Sequence, residues 1–153
     1  AAFDGWEPLE PTAGALRVGF PAPMVWKEDR VCIGLARTDF GPEDFRPSTA
    51  RCERQRAENM AANEIRSLLS IRSGFDTWHF IEAPGDIDAI KVRLATGAAL
   101  GGERIHLSGS TAALRLEDGR DLASIEWSTK SLRYRCLPDP TAWRTSKFCA
   151  DAD

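Results

Sequence analysis

Ser48-Thr49-Ala50-Arg51-Cys52-Glu53-Arg54-Gln55-Arg56-Ala57-Glu58-Asn59-Met60-Ala61-Ala62-Asn63-Glu64-Ile65-Arg66-Ser67-Leu68-Leu69-Ser70-Ile71-Arg72-Ser73-Gly74 is the stretch on which the fold turns. Ala50, Ala57, Met60, Ala61, Ile65, Leu68 and Leu69 recur at three- and four-residue spacing, which predicts an amphipathic helix over 48–72. Ser48 or Thr49 can cap its start, and Gly74 stands where a helix ends in the left-handed conformation. Arg51, Glu53, Arg54, Arg56, Glu58 and Arg66 take the other faces with mixed sign, as on a solvated surface.

Outward from this segment the pattern is of strands. Before it, Arg30-Val31-Cys32-Ile33-Gly34-Leu35-Ala36 reads as a short apolar strand. After it, Phe75-Asp76-Thr77-Trp78-His79-Phe80-Ile81 is aromatic and β-branched. Ile90-Lys91-Val92-Arg93-Leu94 alternates apolar and basic, although Ile87, Ile90 and Leu94 also fit a helix over 86–99. Thr111 to Leu116 and Leu122 to Trp127 flank Glu117-Asp118-Gly119-Arg120, which predicts a hairpin closed by a type I′ turn. Ser131 to Cys136 alternates again, and Pro138 and Pro140 end it. The expected fold is α+β: one long amphipathic helix packed on a mostly antiparallel sheet. Residues 1–29, with Pro8, Pro11, Pro21 and Pro23, read as an extended arm, 30–137 as the domain and 138–153 as a tail tied back by a disulfide.

The 153 residues suit one domain, and no run of about 18 apolar residues is present to cross a membrane as a helix. With 20 basic and 23 acidic residues the net charge is -3, which gives no global attraction to nucleic acid. Only Lys27, Lys91, Lys130 and Lys147 among the basic residues are lysine, an arginine bias that suggests a bacterial source. Ala1-Ala2-Phe3-Asp4 resembles the end left when a signal peptide is removed.

The four cysteines, Cys32, Cys52, Cys136 and Cys149, include no Cys-x-x-Cys pair, so two disulfides in an oxidising compartment are favoured over a zinc site, with four buried free thiols in a cytosolic protein as the alternative. Three pairings exist; Cys32–Cys52 and Cys136–Cys149 are preferred because each closes a short loop between neighbouring elements.

Val31 to Ala36, the loop after it, and Ala50-Arg51-Cys52-Glu53-Arg54-Gln55-Arg56-Ala57-Glu58-Asn59-Met60-Ala61-Ala62-Asn63-Glu64-Ile65 together resemble the LPP20-like bacterial envelope domains, over about residues 30–72. The resemblance implies an envelope or flagellar accessory role, a strand followed by an alanine-rich helix, and no catalytic residues.

Catalytic chemistry would rest on His79, in an aromatic strand, or His106, close to Ser108 and Ser110. No nucleophile elbow, P-loop, dinucleotide fingerprint or metalloprotease motif is present, and Glu82, Asp86, Asp88, Glu117, Asp118 and Asp121 fall mostly in turns. No cofactor or metal is expected. Phe3, Trp6, Phe20 and Trp26 stud the arm and are the candidates for contacting a partner. The leading expectation is a non-enzymatic secreted or envelope assembly module, periplasmic or extracellular, whose partners are other envelope proteins or copies of itself. A small secreted hydrolase using His106 or His79, and a periplasmic inhibitor or immunity-type binder, are the alternatives.

Overall fold

The computed structural model describes residues 5–15, 21–37, 47–54, 60–130, 132–137 and 146–152. Its elements in chain order are β1 (Trp6–Pro8), β2 (Glu10–Pro11), β3 (Pro21–Lys27), β4 (Arg30–Arg37), β5 (Pro47–Arg54), β6 (Glu64–Ser73), β7 (Asp76–Glu82) and β8 (Ala89–Leu94). A 3-10 turn (Gly102–Arg104) follows, then β9 (Ile105–Ser108), β10 (Thr111–Glu117), β11 (Leu122–Thr129), β12 (Leu132–Cys136), β13 (Ser146–Phe148) and β14 (Ala150–Asp151). The strands form three antiparallel sheets: sheet A, β1-β3-β4-β5; sheet B, β13-β6-β7-β10-β9-β2; sheet C, β14-β12-β11-β8.

The sheets stack as three layers with sheet B in the middle. One face of sheet B packs on sheet A through Val31, Ile33, Leu35, Ile71, Trp78 and Phe80. The other packs on sheet C through Ile81, Leu114, Val92, Ile125, Trp127 and Tyr134. A middle strand must be apolar on both sides, and Thr111 to Leu114 of β10 are accordingly four buried residues in succession.

The expected α+β class is therefore corrected to an all-β architecture: the described part of the predicted 48–72 helix is strand, in β5 and β6. Ala50 and Ala61 are exposed, and Ala57 lies outside the described residues. The helical spacing has a cause in the sheet. Between the pairs Ser67↔Ile81 and Ser70↔His79, β6 spends three residues where β7 spends two. This bulge reverses the side-chain alternation, so Ile65 faces sheet C while Leu68 and Ile71 face sheet A. Burial at 65, 68 and 71 thus mimics a helical stripe. Gly74, with φ 61°, closes the β6–β7 hairpin rather than a helix. Ser73 pairs with Asp76, leaving Gly74-Phe75 as a two-residue loop with positive φ at its first position only, the type II′ arrangement.

The predicted hairpin of β10 and β11 is also corrected. Both strands exist, but β10 pairs with β7 and β9 while β11 pairs with β8 and β12. Glu117–Arg120 is a crossing between layers, which lets Leu114 and Leu116 meet Leu122 and Ile125 across the core instead of side by side. Gly119 has positive φ and Asp118 does not, so the turn is not type I′. Residues 89–94 are strand, not helix.

The described parts of the N-terminal segment are strands: β1 and β3 belong to sheet A and β2 to sheet B. Between β1 and β2 the chain changes sheet around Leu9, which is fully buried and whose N–H donates to the Pro23 carbonyl at 2.9 Å. The other end repeats the device: β13 pairs with β6 in sheet B, β14 with β12 in sheet C, and buried Cys149 lies between them.

Candidate functional site

Both preferred disulfides are formed, Cys32–Cys52 and Cys136–Cys149. Cys32 and Cys52 are direct cross-strand partners on β4 and β5. Cys149 is fastened from several directions: its N–H donates to the Asn63 carbonyl at 2.8 Å, its carbonyl accepts from Asn63 Nδ2 at 2.9 Å, and Trp127 Nε1 points at its sulfur at 3.4 Å. The bond to Cys136 therefore joins sheets B and C inside their shared core. Among the described residues no His/Cys/Asp/Glu cluster could hold a metal ion, and no helix is long and apolar enough to cross a membrane.

The two histidines lie on opposite faces of sheet B. His106, on β9 beside Ala113 and Pro11, is 4% exposed. Its ring stands 5.1 Å from that of Trp78, and its Nδ1 is buried with no hydrogen-bond partner. Burial, assisted by the nearby Arg115 guanidinium, lowers its pKa to about 4, so the imidazole is neutral near pH 7. Arg115 lies over the Trp78 ring at 5.7 Å. His106 thus fills space under sheet A, while the hydroxyls of Ser108 and Ser110 meet Glu7 and Lys27. His79 faces the other layer, and its Nδ1 is 3.0 Å from the Ser70 hydroxyl on β6. Burial lowers its pKa as well.

The acidic candidates are engaged in ion pairs where they are not in turns. Lys27 meets Glu82 at 2.8 Å, Arg104 meets Glu117 at 3.1 Å, and Arg72 meets Asp118 at 2.6 Å. Trp6 and Trp26 are cross-strand partners on β1 and β3, and Trp6 packs on Ala22, Met24 and Ala36. Gly5, at φ 83°, lies so close to the Trp26 indole that no Cβ would fit. Phe3 and Phe20 lie outside the described residues.

The outer face of sheet C is a feature that reading along the chain does not assemble. On β8 and β12, Ile90, Val92, Tyr134 and Cys136 point into the core, so Lys91, Arg93, Arg133 and Arg135 point away from it. Between these strands β11 contributes Ser124, Glu126 and Ser128 to the same face. Arg135 occupies Glu126, its Nε donating at 2.8 Å and its Nη2 to the same oxygen. Arg93 donates to the Gly97 carbonyl at 2.8 Å. Lys91 and Arg133 have no ion-pair partner among the described residues. A shallow cleft of about 90 Å³ opens here, with Ala89, Lys91, Ser128, Arg133 and Ala152 in its lining. The alternation of 90–94 and of 131–136 was the available signal; that both strands flank β11 was not readable from it.

Comparison with protein-family models, with curated proteins and with solved structures finds no match to this chain.

Proposed function

We propose that this protein is a non-enzymatic module of the cell envelope or of the secreted fraction, acting by binding other proteins. The observation that carries the reading is the outer face of sheet C: an exposed cationic surface with two cations that have no ion-pair partner among the described residues, held on a layer that a core disulfide fixes to the rest of the body. The disulfides agree with an oxidising compartment. The inward packing of His106 supports binding over catalysis, since that ring is committed to the core. Isolation of the native protein from its source under mild conditions tests the reading. The expected result is a species larger than the single chain, containing defined stoichiometric partners; a bare monomer at native concentration overturns it.

The Ser70–His79 contact favours a second reading, a small hydrolase with Ser70 as nucleophile and His79 as base. A fluorophosphonate probe decides it: labelling abolished by Ser70→Ala would replace the binding function with a catalytic one, and an unlabelled chain removes the hydrolase.

A further inference from the structure

We infer that the outer face of sheet C docks a short acidic segment of a partner polypeptide in extended conformation, a conclusion that rests on the protein-binding reading and gives it a site and a chemistry. The face carries Lys91, Arg93, Arg133 and Arg135 against, among the described residues, the carboxylate of Glu126, on a chain whose net charge is -3. Cations collected against the overall balance on one flat surface focus a local positive potential. Their arrangement is regular because the sheet makes it so. Lys91 and Arg93 lie along β8 and Arg133 and Arg135 along β12, each pair two residues apart, which is about 6.8 Å at the strand rise. The two rows stand on either side of β11, about 10 Å apart. Between them run Ser124, Glu126 and Ser128, and the short hydroxyl side chain of Ser128 in the cleft lining leaves it open and offers a hydrogen bond.

An extended peptide places alternate side chains about 6.8 Å apart on one side, the same repeat as each row of cations. Glutamates at every second position can therefore match the repeat of either row, meeting Lys91 in one or Arg133 in the other, the two cations with no ion-pair partner among the described residues, and competing for Arg93 or Arg135 beside them. The length of the face selects against long polyanions. With two cations in each row, a nucleic acid or sulfated polysaccharide would leave the face after a few charges and run over a chain of net negative charge. A short acidic stretch loses nothing in this way.

The test is fluorescence anisotropy with a labelled octapeptide alternating glutamate and threonine, against the same peptide with glutamine for glutamate, a single-stranded oligonucleotide and a heparin oligosaccharide. The glutamate peptide is expected to bind, the glutamine peptide to bind at least tenfold more weakly, and both polyanions to bind more weakly than the glutamate peptide. Replacing one charged partner of such a contact costs about tenfold in affinity. The Lys91→Glu/Arg133→Glu double variant should therefore weaken the peptide by at least that factor. Arg30→Glu, the same kind of charge change on sheet A, should leave affinity within twofold. Both target side chains are exposed, so an unchanged thermal midpoint is expected to accompany the loss. Equal binding by the double variant and the Arg30→Glu control overturns the proposal, as does absence of peptide binding. Tighter binding of either polyanion overturns it in favour of that ligand. The broader reading fails separately: a wild-type protein that is isolated alone defeats protein binding itself, whereas native partners retained by the double variant defeat only this face.

Discussion

Acid should destabilise this protein through His106 well before its carboxylates protonate. In the unfolded chain the imidazole titrates near its ordinary 6.5, while in the folded protein burial first, and Arg115 second, hold it at about 4. Between these values the unfolded state binds a proton that the folded state refuses, so stability is complete above the unfolded value and falls as pH drops toward 4. Integrating one such group from pH 7 to pH 5 gives a loss of about 2 kcal/mol, which reaches roughly 3 kcal/mol in total by pH 4. His79 is shifted in the same direction and adds to the slope, so the His106 share needs a comparison. Urea denaturation of the wild type and of His106→Leu at pH 7 and pH 5 supplies it. Leucine can occupy the apolar site beside Trp78, and its variant should lose about 2 kcal/mol less than the wild type over that interval. Equal losses in the two proteins would refute the account of a buried neutral histidine at this position.

Other substitutions test the layers directly. Cys136→Ser with Cys149→Ser opens the loop between positions 13 residues apart and should cost about 3 kcal/mol, read as a lower thermal midpoint. Leu9→Ala, at a fully buried crossing between sheets, should cost about 2–5 kcal/mol by denaturant titration. Gly74→Val should cost about 1 kcal/mol or more, although no atom lies within contact of the added Cβ, because φ 61° is strained for a β-branched residue.

Strand identity was legible in β8 and β12, where one face meets the core. In β8 and β12 each inward apolar residue alternates with a basic one, and period 2 survives undisturbed. It was illegible in β6, where the bulge at Ser67–Ser70 changes which layer is served and turns a two-residue period into three. The β10–β11 pair shows a different limit. Asp118-Gly119 marks a reversal correctly, but a reversal within one sheet and a step between stacked sheets use similar residues. Only the long-range pairing with β7, β9, β8 and β12 distinguishes them. The same limit concealed the candidate site. Lys91 and Arg133 sit in strands recognisable from sequence, yet their membership of one face depends on β11 lying between them.

The two terminal crossings bear on the order in which this protein can acquire its structure. Glu10 must find Leu107 before sheet B gains its β2 edge, and Phe148 must find Glu64 before it gains the other. Pairings so distant in sequence slow folding, because loop-closure entropy is lost before the contacts return it. During synthesis the strands of sheet A emerge before most of the middle layer, and residues 146–151 arrive after every strand they join. Cys149 cannot reach Cys136 in native geometry until that segment has crossed from sheet B to sheet C. Oxidation of this pair thus marks completion of the stack, and a time course of thiol blocking during refolding should find Cys32–Cys52 protected first.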